Sequence, residues 1–307
     1  MDYNQSTTDW KQKQAQTIAR IYNYRRKNAK MIRNLRDTCN PELEGIAEKL
    51  EPCATYLAFS ALESGQQKII NANFCRQRLC AVCAWRRQLK FVATTYPALE
   101  LLRAAGHKFV FVSLTVRNVK GEELSRTITQ LSKGYTRMMK TSLFSGVAGY
   151  VRSIEVTTNG QTYHPHIHAI VIMPPEYSPI HEDYIPWQEL IKAWRKAARL
   201  DTDPDIDIRF LRPTRAGQRT YIETIKYSLK PAPLKPAELE DVYYALKGRH
   251  LISFGGILAN LRKAMSDDVL TDQAESTDKW IAQTVWQLNP HGGVYEIVSE
   301  IERRPGA

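Results

Sequence analysis

Between His107 and Leu211 the hydrophobic and polar positions fall into a regular order. Phe109-Val110-Phe111-Val112-Ser113-Leu114-Thr115-Val116 is a short apolar run rich in aromatic and β-branched residues, which predicts a strand. Glu122 to Lys140 predicts a helix. Tyr150–Thr157 and His164–Met173 predict two more strands, the second apolar from Ile167 onward and stopped by Pro174-Pro175. Pro186 to Leu200 predicts a helix with Trp187, Leu190, Ile191 and Trp194 on one face. Ile206-Asp207-Ile208-Arg209-Phe210-Leu211 closes the series as a strand. The order βαββαβ is the ferredoxin-like antiparallel arrangement of an α+β protein. It makes the His164–Met173 strand central, with the 109–116 and 150–157 strands beside it and the sheet's free face away from the two helices.

Outside that block the pattern is mostly helical. Residues 11–36 hold Lys11, Lys13, Arg20, Arg25, Arg26, Lys27, Lys30, Arg33 and Arg36 with no acid between them, interrupted by Ile18, Ile21, Tyr22 and Tyr24. One or two basic helices are expected there, read equally as a surface for duplex DNA phosphates and as a solvated face or mobile arm. Residues 217–230 predict another helix, stopped by Pro231. Val242–Gly248 and Gly256–Met265 look helical, and the tail beyond Met265 is acidic, with Asp267, Asp268, Asp272, Glu275 and Asp278. The expected organisation is a basic helical DNA-binding region at 1–50, a cysteine knuckle and helix at 51–100, the α+β block at 101–232, and a helical extension with an acidic tail at 233–307.

Alternate side chains of a strand share a face, so His164, His166 and His168 point the same way. Imidazoles at i and i+2 on a rigid strand can close on one metal ion, whereas a single histidine reads as a satisfied polar residue. Asn159-Gly160 is a strong hairpin signal. As a two-residue turn it pairs Thr158 with Gln161 and sets Glu155 opposite His164, one diagonal step from His166. A carboxylate in a half-buried strand needs a partner. Metal ligation supplies one; the other reading is a charge guarding an edge strand. Two imidazoles and a carboxylate suit Mn²⁺ or Mg²⁺, and imidazole also accepts Zn²⁺.

The chain of 307 residues is 43% hydrophobic, enough for a core, and its net charge of +11 points to a polyanionic partner. Met1–Trp10 has no apolar signal core, and no apolar run reaches the roughly 20 residues of a membrane span, so a cytoplasmic protein without a membrane partner is expected. Five cysteines then take on meaning: Cys75, Cys80 and Cys83 are closely spaced, which in a reducing compartment reads as a metal knuckle rather than disulfides. Tetrahedral Zn²⁺ wants four ligands. Cys53 is the expected fourth, with Cys39 a buried or free thiol; an iron–sulfur cluster or scattered core cysteines are the other readings. Arg76, Arg78, Arg86, Arg87 and Lys90 surround the knuckle and, with Arg25, Arg26 and Lys27, are candidate phosphate contacts.

On the 217–230 helix, Glu223, Tyr227 and Lys230 are spaced i, i+4, i+7, with Lys226 beside them. Lysine near a phenol favours phenolate, which makes Tyr227 a plausible nucleophile; an ordinary surface helix with a Glu–Lys pair is the plain alternative. The order of the motifs resembles the HUH endonuclease superfamily, and within it the single-tyrosine replication initiator (Rep) proteins of small rolling-circle plasmids. The residues that carry the resemblance are Leu114-Thr115-Val116-Arg117-Asn118, His164-Pro165-His166-Ile167-His168, Glu223-Thr224-Ile225-Lys226-Tyr227-Ser228-Leu229-Lys230, and the knuckle running into Trp85-Arg86-Arg87. It spans roughly residues 50–262 and omits the basic N-terminal region and the acidic tail.

The resemblance implies an HUH endonuclease domain at 101–232 with His166 and His168 as the paired histidines, Tyr227 as nucleophile and Glu223 as the catalytic glutamate. His164 matches a family position outside the innermost ligand set, and Glu155 is the third ligand by hairpin register and by similarity. Lys226 and Lys230 would stabilise phenolate and phosphate charge. The implied reaction is metal-dependent nicking and rejoining of plasmid origin DNA through a 5′-phosphotyrosine, leaving a 3′-OH primer, with host helicase and polymerase as partners. An HUH transposase or relaxase would share the chemistry. A zinc-dependent, non-catalytic DNA-binding regulator would explain the charge and the cysteines but gives His166, His168 and Tyr227 no task.

Overall fold

The described elements, in chain order, are α1 (Tyr3–Arg36), α2 (Pro41–Leu50), β1 (Tyr56–Leu62), β2 (Gln67–Ala72), α3 (Ala81–Ala104), β3 (Lys108–Thr115), α4 (Gly121–Met138), β4 (Gly149–Thr158), β5 (Tyr163–Met173), α5 (Trp187–Ala198), β6 (Ile206–Phe210), α6 (Pro236–Leu246), β7 (Ile252–Gly256), β8 (Trp280–Leu288) and β9 (Tyr295–Glu302), with residues 257–265 also helical. The computed structural model describes residues 3–178, 185–211, 234–265, 280–291 and 293–303. The helix expected at 217–230, with Glu223, Lys226, Tyr227 and Lys230, lies outside the described residues, as do residues 266–279 of the acidic tail. The chain forms two compact units, one of residues 1–86 with 270–307 and one of residues 87–269.

In the second unit the five strands run β6-β3-β5-β4-β7, every pair antiparallel. The first four are the expected ferredoxin-like order, and β7 is added at the β4 edge. The two sheet faces differ sharply. One carries Tyr150 and Arg152, against which α4 packs: Tyr135 meets the Tyr150 ring edge-on at 5.3 Å, and the Arg152 guanidinium lies over Tyr135. Helix α5 lies beside α4, and Trp194 donates from Nε1 to the Thr115 carbonyl at 2.8 Å. Gly134 permits this approach, since a Cβ there would stand 3.0 Å from the Ala198 backbone and 3.2 Å from the Trp194 ring. A glycine inside a helix costs about 0.5–1 kcal/mol, which close packing of Trp194 offsets.

The other face carries the alternate residues. At one end Phe109, Phe111, Val151, Ile170 and Ile172 pack under Ala98, Leu99 and Leu102 of α3 and Leu258. Each such side chain, taken from water, contributes about 1.5–3 kcal/mol. At the other end the same face turns polar: Thr115, His166 and Glu155 form one cross-strand row, and Ser113, His168 and Ser153 the next. The apolar end makes the sheet rigid where the polar residues must be held.

In the first unit a four-stranded antiparallel sheet runs β2-β1-β8-β9. None of these strands was expected from the sequence, and the region assigned as helical extension and acidic tail supplies two of them. In β8 the inward residues are Ala282, Thr284 and Trp286, too polar to announce a buried strand, and their partners on β1 lie more than 200 positions earlier. Helix α1 crosses this sheet: Trp10 packs with Ala61 and Ala282, and Gln14 Oε1 accepts from Thr284 Oγ1 at 2.8 Å and from Trp286 Nε1 at 3.3 Å. Ile18, Ile21, Met31 and Leu35 are buried along the same helix.

The basic segment is therefore a core element of its unit and not a mobile arm. Ile21→Ala should lower stability by about 2–5 kcal/mol, read as an earlier denaturant midpoint; a segment acting only as an arm would leave the midpoint unchanged.

Candidate metal centres

The β4–β5 hairpin brings the first group together. Its register sets Glu155 opposite His166, Thr157 opposite His164 and Thr158 opposite Tyr163. This corrects the expected two-residue turn: the loop is Asn159-Gly160-Gln161-Thr162. Asn159 makes it so, because its Oδ1 accepts from the amides of Gln161 at 3.0 Å and Thr162 at 2.8 Å, while Gly160 takes φ +93°. An asparagine bonded to the backbone two residues on stabilises such a turn without a tight two-residue bend. The pairing moves by two residues, an even number, so Glu155 keeps its face and lies directly across from His166 instead of diagonally.

Glu155 Oε2 stands 3.5 Å from His166 Nε2 and 3.3 Å from His168 Nε2. The three ligand atoms lie within 4.8 Å of one another. His166, only 8% exposed, has its Nδ1 3.0 Å from the His164 carbonyl, which fixes the proton on Nδ1 and turns the Nε2 lone pair toward Glu155. The His168 ring stacks on Phe111 at 5.6 Å. The adjacent His166 and His168 imidazoles hold the Glu155 carboxyl well below the usual carboxylate range, although burial pushes it up. Two ligands bound to one cation at about 2.1 Å sit roughly 3.0–3.5 Å apart, so an ionised carboxylate and two imidazoles at these separations fit a shared divalent cation.

His164 stands apart from this group. Its Nδ1 is 2.8 Å from Asn118 Oδ1, and burial together with the neighbouring His166 lowers its pKa. With Thr115, Arg117, Asn118, Arg126 and Arg199 it lines a cleft of about 630 Å³ between the β3–α4 and α5–β6 connections. The contact with Asn118, which lies in the Leu114–Asn118 motif, is one that spacing did not reveal.

The second group lies in the other unit. Cys53, Cys75, Cys80 and Cys83 converge with Sγ–Sγ separations of 3.7 Å for Cys53–Cys83, 3.7 Å for Cys75–Cys83 and 3.5 Å for Cys53–Cys80. A disulfide needs about 2.05 Å, whereas four sulfurs about 2.3 Å from one zinc stand roughly 3.8 Å apart. The surroundings of Cys80 and Cys83 favour thiolate. The Arg76 amide donates to Cys83 Sγ at 3.2 Å, the Cys83 amide to Cys80 Sγ at 3.5 Å, and Asn28 Nδ2 to Cys80 Sγ at 3.2 Å. Cys80 immediately precedes α3 and Cys83 lies in its first turn, where the helix N-terminus adds positive potential. Within the cluster, hydrogen bonds from Cys53 and Cys75 hold Cys80 below the ordinary thiol value. Cys39 is exposed and takes no part.

The basic candidates divide by exposure. Arg26 and Lys27 are exposed, with Lys27 Nζ 4.8 Å from the Tyr24 ring centroid. Arg25 donates to the Cys53 carbonyl and so braces the knuckle. Arg86 is half-buried, its guanidinium 3.6 Å from the Phe74 ring centroid, and Arg78 and Arg87 are half-buried as well, whereas Arg76 is exposed.

Among the described residues no helix is long and apolar enough to cross a membrane. The family whose model matches the chain is described as replication protein, and the match covers residues 66–288, a span that holds Glu155, His166, His168 and three of the four clustered cysteines. A protein called Protein rep from Streptococcus pneumoniae serotype 2 is 32% identical over 232 residues, which is 72% of each chain. Others with that name, from Bacillus amyloliquefaciens and a Bacillus species, are 33% and 35% identical over 72% of this chain and 73% and 80% of their own. No solved structure matches the chain. The resemblance to Rep proteins read from four short motifs thus extends across most of the sequence, and the chain belongs to the replication protein family.

Proposed function

We propose that this replication protein initiates plasmid rolling-circle replication by nicking one strand of the origin and rejoining it through a 5′-phosphotyrosine. The observation that carries the reading is the convergence of Glu155, His166 and His168 on one face of a rigid hairpin, in a chain of this family. The three residues would hold Mn²⁺ or Mg²⁺, which would supply positive charge to polarise the scissile phosphate and offset charge on its oxygens. Glu155, held below the usual carboxylate range, stays charged throughout the neutral range and supplies the anionic ligand. The carbonyl of His164 keeps His166 in the tautomer that leaves Nε2 as a lone-pair donor.

The nucleophile in this reading is Tyr227. Its oxygen forms a bond to phosphorus, the P–O3′ bond breaks, and the departing oxygen becomes the 3′-OH that primes synthesis. Lys226 and Lys230 stabilise phenolate and phosphate charge, and Glu223 activates water at termination. Cys53, Cys75, Cys80 and Cys83 hold a structural Zn²⁺. Exposed basic residues of α1, Arg26 and Lys27 among them, contact duplex origin DNA, whose nick site is presented single-stranded. Host helicase and polymerase take over from the 3′ end.

Tyr227→Phe keeps the ring and removes the attacking oxygen, so covalent adduct and nicking of a single-stranded origin oligonucleotide should vanish together on a denaturing gel. Adduct from that variant would move the nucleophile to another tyrosine. With Glu223→Ala the first attack should persist and adduct should accumulate. Glu155→Gln keeps the shape but removes the charge, and Mn²⁺ affinity should fall at least about tenfold, or 1.4 kcal/mol, by isothermal titration; unchanged affinity removes Glu155 from the ligand set. Dialysed protein should retain one zinc per chain and lose it in Cys80→Ser, measured by metal analysis; zinc absent from the parent protein ends the structural-zinc assignment.

A further inference from the structure

Asn28 sits in the middle of the basic run of α1, yet it is 2% exposed. Its side chain makes two bonds across the unit. Nδ2 donates to Cys80 Sγ at 3.2 Å, and Oδ1 accepts from the Ala81 amide, the first residue of α3, at 2.8 Å. Two neighbours in the same turn of α1 meet the knuckle as well: Arg25 donates to the Cys53 carbonyl, and Tyr24 stacks on Trp85 with centroids 5.0 Å apart. At about 100° per residue, Asn28 lies on the buried side of the helix with Ile21, Met31 and Leu35. Arg26, Lys30 and Arg33, spaced i, i+4, i+7, fall on the opposite side, and all three are exposed. No acid stands between Asp9 and Asp37 to neutralise that stripe.

We infer that Asn28 couples the cysteine site to the outer face of α1, so that a metal held by the four cysteines fixes the Arg26–Lys30–Arg33 stripe for duplex DNA phosphates. The inference rests on the reading of α1 as a duplex contact and adds to it a residue and a dependence on metal. The physical basis is short. Without a cation nothing draws the four sulfurs to one centre, and the Asn28 donor then loses its fixed partner on Cys80. With the metal in place, charge on Cys80 strengthens the N–H···S bond, and the same side chain caps the first amide of α3. One asparagine thus ties the inner face of the basic helix to the metal ligand and to the helix that follows it.

Asn28→Asp separates its two bonds. The carboxylate still accepts from the Ala81 amide, but it sets an acceptor against the Cys80 sulfur where there was a donor. In the full chain this variant should bind zinc about 10- to 100-fold more weakly, as for other partners of metal ligands, and the thiolate-to-metal absorption of its Co²⁺ form should shift. At limiting zinc, amide exchange over residues 20–36 should speed up and affinity for a random-sequence 30-base-pair duplex should fall; excess zinc should restore both. Chelation of zinc from the parent protein is the second arm, for the case in which the variant does not fold: exchange over 20–36 should accelerate there while the β3–β5 amides stay protected.

Arg26→Ala/Lys30→Ala/Arg33→Ala, tested with zinc bound, separates this inference from the reading beneath it. Helix protection should be retained, while duplex affinity falls and the salt slope shrinks by about 2–3. Unchanged duplex affinity in that triple variant overturns α1 as the DNA contact. If the triple variant loses affinity but Asn28→Asp keeps zinc, exchange protection and duplex binding at the parent's level, the coupling through Asn28 is overturned. Loss of zinc with no change in exchange over 20–36 overturns it equally.

Discussion

A carboxylate set directly across a sheet from an imidazole is the constraint on which the second unit depends. Glu155 and His166 are register partners on neighbouring central strands, and both are largely withdrawn from water. An ionised carboxylate in that position needs a positive partner; the two Nε2 atoms approach it without closing to the 2.7–3.2 Å of a good hydrogen bond. That spacing suits a cation among the three groups better than a hydrogen bond between any two. A slip of one residue in the hairpin would send Glu155 to the face where Tyr135, Tyr150 and Arg152 pack. The Asn159 loop, which sets the register, is therefore part of the site although it touches none of its atoms.

The same sheet face is used in two ways along its length. Phe109, Phe111, Ile170 and Ile172 are sealed under α3, and the next residues along the strands, Ser113, Thr115, His166 and His168, are polar. Burial at one end gives the strands fixed side-chain directions at the other. Phe111 belongs to both regions, packing into the core and stacking on His168. The opposite face has no such division, because α4 and α5 cover it, their close approach permitted by Gly134.

In the first unit, α1 resolves two demands that conflict in a short peptide. Its inward residues, Trp10, Gln14, Ile18, Ile21, Asn28 and Leu35, complete a core with the sheet and the knuckle. From Lys11 to Arg36 its charged residues are all of one sign. Like charges repel along an isolated helix, and the burial of the inner face overcomes that repulsion. A helix with one face committed to the core can present Arg26, Lys30 and Arg33 in a fixed line, which an arm cannot.

The sequence by itself determined whatever follows from local period and spacing. Alternation along Tyr163–Met173 puts His166 and His168 on one face wherever the strand lies, and the spacing of Cys75, Cys80 and Cys83 brings three sulfurs within reach of one ion in any compact loop. The order of strands and helices from 108 to 210 was legible because each element carries its own apolar run. The basic run of α1 was legible as charge, but not as a core helix, since the buried partners Ala61 and Ala282 are far away in sequence. Tertiary structure decided the rest. Cys53 joins the knuckle from 22 residues before Cys75, Glu155 takes its partner from a loop two residues longer than its Asn-Gly pair suggested, and β8 and β9 return to a sheet begun at Tyr56. Asn28 carried no signal at all: an asparagine among arginines and lysines reads as solvated, and only the fold places it against Cys80. Apart from the hairpin, each of these depends on a contact closed over a long loop, whose free energy comes from the whole packed unit and is written in no local stretch.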